Sequence, residues 1–372
     1  MTSQDPYADI RPYNDEEVPA VVERLLHDEE LLGAIANYKF PTLNKFLGFA
    51  LRPLVRMVIA KEVKGVEDID SWQMLVSKYM RRMIKSSVDE LTYSGLENLQ
   101  SDNAYLFISN HRDIAMDPAL VYWGLYTNDL ETGRIAIGDN LLKKPYVSDI
   151  MRLNKCFIVK RSASGIRAKM KAYMDLSSYI DESVHSGHNI WIAQSEGRAK
   201  NGIDVSEPAV MKMLYMCKKK SGQSYADYVD SLHIVPVSIA YQLDPCDSAK
   251  AKELAALANE GSYTKGEFED ITSIVKGIIG EKGKVHVAFG KPLDGGVETP
   301  EDLVDWLDES IATNYHAHDT NAAAVAMQQG ESHPAAYKLE ARMAGLNAAQ
   351  REQMIAMYAN PLKRQQALQE DK

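Results

Sequence analysis

Short apolar runs alternate with helical patterns through the middle of the chain, from Leu91 to about Leu293. The runs are rich in β-branched and aromatic residues, which favour strands, and they cover 104–109, 134–137, 156–159, 189–193, 233–240 and 284–289. Patterns with helical periodicity occupy 117–127, 165–185 and 207–220. This alternation predicts an α/β fold in which a mostly parallel sheet is flanked by helices.

Both ends of the chain carry helical patterns without strand signals. Apolar residues recur at three- and four-residue steps from Asp15 to about Ser87, where Pro53 is expected to divide one helix into two shorter pieces. Helices are predicted again after Pro300, at 302–313, 321–327 and 334–360. The chain is therefore expected to have a helical N-terminal region at 1–90, an α/β domain at 91–295 and a helical C-terminal extension at 296–372.

The composition narrows the class of protein. The 372 residues carry 42 Lys and Arg against 52 Asp and Glu, a net charge of −10, which argues against a nucleic-acid binder. Three cysteines without a partnering histidine cluster indicate neither a disulfide framework nor a metal site. The N-terminus lacks a signal-peptide pattern, and the longest uncharged stretch, 231–243, is shorter than the roughly 20 residues that span a bilayer. A cytoplasmic protein is expected.

The charge is distributed unevenly along the chain. Residues 141–172 have a net charge of +8, whereas residues 1–30 have −7. Within the basic strip, Lys160 and Arg161 follow the apolar run 156–159, so they are placed at a sheet edge where a guanidinium could hold a phosphate. A solvated surface is the alternative interpretation.

The segment Ser109–Leu120 contains the most informative candidate chemistry. It lies where a strand ends and a helix begins, which is where α/β proteins place their sites. His111 is followed by Asp113 and Asp117, and an imidazole held by a carboxylate can remove a proton from a hydroxyl. These residues could instead be helix-capping groups.

Two further segments follow predicted strands. Glu196-Gly197-Arg198, with Lys200, offers a glycine that allows close backbone approach and two cations that could bind an anion. Val235-Pro236 lies inside a predicted strand, although proline is normally confined to an edge or a bulge, and ordinary sheet structure is the preferred interpretation of this segment.

The order of these segments resembles the glycerolipid acyltransferase family, which includes lysophosphatidate and glycerol-3-phosphate acyltransferases. The four sequential motifs are Asn110-His111 with Asp117, then Phe157 to Arg161, then Glu196-Gly197-Arg198, then Val235-Pro236. The run 285–293 also resembles the strand that closes the family's catalytic domain. The likeness covers about 91–293, so the α/β region is expected to be an acyltransferase catalytic domain.

The resemblance implies roles for particular residues. His111 would be the general base and Asp117 its carboxylate partner. Substrate-binding positions implied by the motifs are Asn110, Phe157, Lys160, Arg161, Glu196, Gly197, Arg198 and Lys200. The family has four residues between its His and Asp, whereas five separate His111 from Asp117 here. Asp117 is preferred because Pro-Ala-Leu follows it as in the family, and Asp113 remains the alternative.

The implied reaction moves a fatty acyl group from an acyl thioester, acyl-CoA or acyl carrier protein, to the hydroxyl of a glycerol-phosphate-type acceptor such as 1-acylglycerol-3-phosphate, in phospholipid biosynthesis. No cofactor, metal or nucleic acid is expected beyond the acyl-CoA or acyl carrier protein co-substrate. The absence of a Gly-x-Ser-x-Gly elbow favours direct transfer over an acyl-serine intermediate. The alternatives are a remodelling acyltransferase for a lyso-aminolipid or lysophospholipid, and a catalytically silent lipid-binding module.

A lipid acceptor implies contact with a membrane surface. Asn44–Ala60 and Trp72–Lys85 combine basic and apolar residues, as helices that lie in the headgroup region do. Peripheral attachment at the inner face of the membrane is therefore expected, and packing of these helices on the catalytic domain is the alternative.

Overall fold

The computed structural model describes residues 5–266 and 269–370, and for residues 41 and 43–50 it describes the backbone alone. The side chains of 44–50, which belong to the predicted membrane-binding segment Asn44–Ala60, therefore lie outside the described residues.

The strands follow the predicted runs closely. They are β1 (Glu90–Ser94), β2 (Leu106–Ser109), β3 (Arg134–Gly138), β4 (Cys156–Val159), β5 (Ile190–Ala193), β6 (Ile234–Tyr241) and β7 (Lys284–Phe289). Only β1 lacked its own prediction among these strands, and its side chains alternate between exposed and half-buried positions.

Helices precede, separate and follow these strands. They are α1 (Val18–His27), α2 (Glu29–Lys39), α3 (Pro41–Glu62), α4 (Ile69–Ser87), α5 (Met116–Thr127), α6 (Pro145–Leu153), α7 (Ile166–His185), α8 (Pro208–Leu214), α9 (Tyr225–Ser231), α10 (Asp247–Glu260), α11 (Glu269–Ile279), α12 (Pro300–Thr313), α13 (Asp319–Gln329), α14 (Ala336–Arg342) and α15 (Ala348–Glu370). No helix within 5–266 or 269–370 is long and apolar enough to cross a bilayer.

The chain divides into two compact units. The first comprises Met1–Arg82 and Arg134–Lys169, and the second comprises Met83–Gly133 and Met170–Lys372. The division of the chain at 90 and 295 stays a prediction.

The second unit contains five strands in the order β1-β7-β6-β2-β5. Strand β2 pairs in parallel with β5 and β6, and β1 pairs in parallel with β7, whereas β6 and β7 are antiparallel. Because Ser109 is in register with both Ala193 and Val237, the segments that follow β2, β5 and β6 emerge at one edge of the sheet. The predicted α/β fold with a mostly parallel sheet and flanking helices is confirmed.

The segment at Pro236 forms ordinary sheet structure, as the sequence favoured. Strand β6 lies between β2 and β7 rather than at an edge. Its pairing with β7 begins at Val237, opposite Phe289, and Gly290 N–H donates to Pro236 O at 2.8 Å. The missing proline N–H is therefore tolerated because Pro236 lies at the end of that ladder.

The first unit contains the parallel pair β3 and β4, together with the N-terminal helices. Ile158 N–H donates to Ile10 O at 2.8 Å, so the segment before α1 contacts β4. One buried apolar cluster joins α1, α4 and α6, and a second joins α2 and α3.

The prediction that Pro53 divides the helix was wrong, because α3 continues through this residue. Packing against α2 explains the continuity: Leu32 and Ala36 of α2 share a buried cluster with Val55 of α3. Arg56 also donates to Leu26 O at 3.0 Å and to Glu29 at 2.8 Å. These contacts offset the cost of proline in a helix, which is about 3 kcal/mol.

Candidate active site

The centre of the site is a histidine–aspartate pair in the second unit. His111 Nδ1 lies 2.8 Å from Asp117 Oδ2. The Asp117 side chain is fully buried, whereas the His111 side chain is 13% exposed. No described residue hydrogen-bonds to His111 Nε2, so this nitrogen remains available to a substrate.

The Asp117 carboxylate is held by groups from both its own loop and strand β6. Oδ2 also accepts hydrogen bonds from the backbone N–H groups of Arg112, at 2.6 Å, and Asp113, at 2.9 Å. Oδ1 accepts from the Tyr241 hydroxyl at 2.9 Å. Burial, followed by the charge of Asp117, raises the pKa of Tyr241 well above its usual value, so the phenol stays a donor. A carboxylate with these partners is fixed in position.

The Asp113 carboxylate has different hydrogen-bond partners from that of Asp117. Its Oδ1 accepts from the N–H groups of Ala115, at 3.0 Å, and Met116, at 2.9 Å, where α5 begins. Its Oδ2 is buried and has no hydrogen-bond partner among the described residues. Burial, with the neighbouring charge of Asp117, raises the pKa of Asp113 to about 6. The extra residue between His111 and Asp117 is therefore accommodated in a capped turn, and Asp117 is the partner of the imidazole.

The Arg112 side chain joins this turn to the segment after β5. Its guanidinium donates to Asp204 Oδ2 at 2.6 Å, to Ala199 O at 3.1 Å and to Gly202 O at 3.4 Å. Ala199 N–H in turn donates to His111 O at 3.0 Å. Because Arg112 and Asp204 are both nearly buried, their ion pair depends on this set of hydrogen bonds. The segment 199–204 thus supports the backbone of the His–Asp turn.

One segment of the chain matches a known family. Residues 90–240 match the family model described as Acyltransferase. This segment is an acyltransferase domain. The prediction of this enzyme class from the ordered motifs is thereby confirmed.

Among solved structures, the chain matches the 1-acyl-sn-glycerophosphate (LPA) acyltransferase PlsC from Thermotoga maritima. The two share 18% identity at a TM-score of 0.38, and the match covers 76% of this chain and 92% of that chain. No residue role is carried over from a likeness at this level. No curated protein sequence matches the chain.

The C-terminal helix α15 contacts the segment 199–204. A Cβ placed on Gly202 would lie 2.1 Å from Met357 O, so the two backbones are in close contact, and Gly202 has a positive φ of 77°. Asn360 Nδ2 donates to Asn201 O at 2.8 Å. Helix α15 therefore supports the segment that carries the acceptors of Arg112.

A second route also links α15 to the catalytic turn. Lys250 Nζ donates to Arg112 O at 2.7 Å and forms an ion pair with Asp244. Asp244 N–H donates to the Tyr358 hydroxyl at 2.8 Å, and that hydroxyl donates to Asp247 Oδ2 at 2.9 Å. These side chains are buried, which makes their hydrogen bonds costly to break.

The Glu196-Gly197-Arg198 motif lies in the loop after β5. Gly197 has φ +84°, which favours glycine, and a Cβ there would have no atom within 4 Å. Arg198 Nη2 lies 3.5 Å from Ser273 Oγ, and its Nη1 is buried without a described hydrogen-bond partner. Glu196 is exposed, and its N–H donates to Glu207 at 2.9 Å. Arg198 thus retains donor capacity suited to an anion.

Three of the predicted substrate-binding residues are buried or engaged by neighbouring groups. The Asn110 side chain is fully buried and is engaged by Ile239, whose N–H donates to Oδ1 at 2.8 Å and whose O accepts from Nδ2 at 3.1 Å. Phe157, of the first unit, is fully buried. Lys200 forms an ion pair with Glu253 of α10. Their role in binding substrate stays a prediction.

Lys160 and Arg161 belong to the first unit, just after β4. Lys160 Nζ lies 3.3 Å from Asp9 Oδ2. The Arg161 backbone N–H donates to Asp139 Oδ1 at 3.1 Å, and its side chain is exposed. Their role in holding a phosphate stays a prediction.

The basic strip 141–172 is partly neutralised within the first unit. Lys144 pairs with Glu30 at 2.6 Å, in addition to the Lys160 pair with Asp9. The Arg152 guanidinium lies 4.3 Å from the centre of the Tyr13 ring and donates to Arg11 O and Ala8 O. Acidic and carbonyl groups from residues 1–30 therefore take up part of the positive charge that the sequence shows.

Tyr241, Arg112 and Asp204 were missed by sequence reasoning. Tyr241 ends strand β6, and the register of β6 with β2 puts the ends of both strands at the same edge of the sheet. With the strand order known, a tyrosine there would have been a candidate partner for the His–Asp turn. Arg112 directly follows His111, but nothing in the sequence pairs it with Asp204.

Proposed function

We propose that this acyltransferase moves a fatty acyl group from an acyl thioester, acyl-CoA or acyl carrier protein, to the hydroxyl of a glycerol-phosphate-type acceptor such as 1-acylglycerol-3-phosphate, in phospholipid biosynthesis. The observation that supports this best is the contact of His111 Nδ1 with a fully buried Asp117 carboxylate, which leaves Nε2 without a described partner. The order of the motifs in the matched domain supports the choice of acceptor.

The hydrogen bonds of the pair favour a particular tautomer. Asp117 Oδ2 accepts from Nδ1–H, so the lone pair resides on Nε2, where it can receive a proton. The edge-to-face contact of the imidazole with Trp191, 6.0 Å between ring centres, restricts the ring further. His111 is thus held as a general base, which contributes roughly 10²–10⁴ in rate.

The reaction then proceeds without a covalent enzyme intermediate. His111 Nε2 removes the proton of the acceptor hydroxyl as its oxygen attacks the thioester carbonyl carbon. A carbon–oxygen bond forms, the carbon–sulfur bond breaks, and the thiolate leaves with the proton returned by Nε2. The buried charge of Asp117 stabilises the transient imidazolium.

An anionic acceptor fits the cations of the matched domain. Arg198 has a guanidinium nitrogen without a described hydrogen-bond partner, and buried donors of this kind usually have one. Lys160 and Arg161 are the other cations that the motifs assign to the phosphate. Replacement of Arg198 with Ala should raise KM for a phosphate-bearing acceptor more than KM for the acyl thioester.

We also propose that the protein attaches peripherally to the inner face of the membrane. The first unit exposes apolar side chains on α3 and α4, including Met57 and Met74, beside basic residues. Flotation with anionic liposomes at low and high salt tests this attachment, and no binding at low salt would contradict it.

The acceptor can be identified by an acyl-transfer panel. Acyl-CoA and acyl carrier protein thioesters are offered with 1-acylglycerol-3-phosphate, glycerol-3-phosphate, lysophospholipids and a lyso-aminolipid, to wild type and to His111→Ala. Transfer to a phosphate monoester, lost in His111→Ala, supports the proposal. Transfer confined to lysophospholipids or the lyso-aminolipid would show a remodelling enzyme, and an inactive wild type would favour a silent lipid-binding module.

A further inference from the structure

The first unit encloses an apolar cavity between its two helical clusters. The cavity has a volume of about 580 Å³ and is lined by side chains from both the α1–α4–α6 cluster and the α2–α3 cluster. That volume lies within the roughly 300–1,000 Å³ of small-ligand sites. The two clusters therefore leave between them a space of the size that a small ligand occupies.

The lining of this cavity is almost wholly hydrocarbon. Val22, Leu25, Ile35, Val55 and Leu75 are among the residues that form its walls, and Trp72 contributes an aromatic ring. Water inside such walls finds few polar partners, whereas an alkyl chain gains dispersion contact along its length. The cavity thus favours a flexible apolar ligand over a polar one.

The mouth of the cavity is open and carries charge. Of the lining side chains, Tyr38, Leu54 and Val58 are exposed. The charged lining residues are Lys39, Arg82 and Glu62, and Glu62 accepts a hydrogen bond from the Tyr79 hydroxyl at 3.2 Å. The two cations outnumber the one acid, so the lining has a net positive charge, which favours a ligand with an anionic end.

We propose that this cavity binds one molecule of a long-chain amphiphile, with its acyl chain between the two clusters and its anionic headgroup at Lys39 and Arg82. The described lining belongs to the first unit and would give the N-terminal helices a lipid-binding function of their own. It does not depend on which acceptor the enzyme acylates.

Quenching of Trp72 tests where the chain binds. 9,10-Dibromostearate quenches tryptophan fluorescence on contact, and it is titrated below its micellar concentration into the full chain. We expect saturable quenching with one equivalent bound, mostly lost in Trp72→Phe and retained in the control Trp123→Phe. Quenching that persists unchanged in Trp72→Phe would overturn the proposal.

Variants at the mouth test how the amphiphile binds. Val58 is exposed, so Val58→Asp should leave the fold intact while placing a carboxylate in the path of the chain, and we expect affinity to fall at least about tenfold. The control Val58→Ile should bind as wild type. Arg82→Glu should weaken binding about fivefold, whereas Lys78→Glu, the same charge change on the same helix outside the lining, should not. Equal affinities across these variants would contradict the assignment.

Three further measurements distinguish binding in this cavity from binding at the catalytic pair or at a membrane surface. Shortening the chain of the fatty acid should reduce affinity by about fourfold for each methylene removed. His111→Ala should bind dibromostearate with the affinity of wild type. The binding measurement is therefore independent of whether His111 is needed for acyl transfer. If the protein binds phosphatidylglycerol vesicles but no monomeric fatty acid, the apolar surface is a membrane contact and the proposal is wrong.

Discussion

The Tyr241 hydroxyl donates a hydrogen bond to Asp117 Oδ1 at 2.9 Å, while His111 Nδ1 lies 2.8 Å from Asp117 Oδ2. The two oxygens of one carboxylate are thus divided between strand β6 and the histidine. The orientation of His111, the proposed general base, therefore depends on a residue more than one hundred positions away in the sequence.

Replacement of Tyr241 with Phe should lower kcat about tenfold and leave KM nearly unchanged, because the carboxylate loses the donor that fixes Oδ1. Tyr93→Phe is the matched control. The Tyr93 hydroxyl donates to Leu120 O at 3.0 Å, on the helix α5 that also carries Asp117, but it does not contact Asp117. Both variants should lose about 1 kcal/mol of unfolding free energy. Equal kcat values for the two variants would show that Tyr241 does not position Asp117.

Arg112→Lys should lower kcat about tenfold, because one ammonium cannot satisfy Asp204, Ala199 O and Gly202 O together. The control is Arg11→Lys in the first unit, where one ammonium likewise cannot satisfy the three acceptors Asp5, Glu17 and Pro12 O. Steady-state kinetics and urea unfolding should show a similar loss of stability in both variants, about 2 kcal/mol. A loss of kcat in both or in neither would refute a positioning role for Arg112.

The pH dependence of stability should report on Asp113. Burial raises the pKa of this carboxyl from its ordinary 3.8 to about 6, so the unfolded chain releases the proton at lower pH than the folded chain does. Its contribution to stability is therefore present in full below pH 4 and is lost as the pH rises through 6, on the order of 3 kcal/mol in total.

Asp113→Asn removes this titration. Urea unfolding at pH 4.5 and pH 7 should show that the free energy of unfolding of the variant rises relative to that of wild type as the pH rises. Parallel pH profiles for the two proteins would mean that Asp113 titrates in the folded chain as it does in the unfolded one.

Gly202→Ala should destabilise the protein by at least about 2 kcal/mol, because the new Cβ would lie 2.1 Å from Met357 O in addition to the strain of a positive φ. Gly222→Ala provides the comparison, since it has a similar φ of 83° and no atom within 4 Å of a Cβ. It should cost about 1 kcal/mol. Thermal or urea unfolding measures both, and equal losses would show that α15 does not press on this segment.

Local sequence patterns were sufficient to predict the positions of most strands. The apolar runs predicted β4 and β7 with their observed ends and placed β2, β3, β5 and β6 within two residues. Pro53 misled because the effect of a proline on a helix depends on what packs beside it, whereas Pro236 was correctly placed in ordinary sheet structure. Helix α3 is held by α2, and Pro236 lies where a ladder ends.

Only part of the candidate site could be predicted from the sequence. The His–Asp turn could be found because its two residues are close in the chain and follow a strand. The contacts of Arg112 with Asp204, and of Asp244 with Tyr358, join residues separated by 92 and 114 positions. Such pairs follow from tertiary packing, which no local pattern encodes. The contacts of Asn110 with Ile239 and of Lys200 with Glu253 are of the same kind.

The most direct test of the central claim is the rate of acyl transfer by His111→Ala and Asp117→Asn, measured beside wild type with the acceptor that the panel identifies. We predict that His111→Ala loses roughly 10²–10⁴ in kcat and that Asp117→Asn loses a comparable factor, with folding intact in both. Activity of either variant within about threefold of wild type would contradict the claim that the His111–Asp117 pair is the general base.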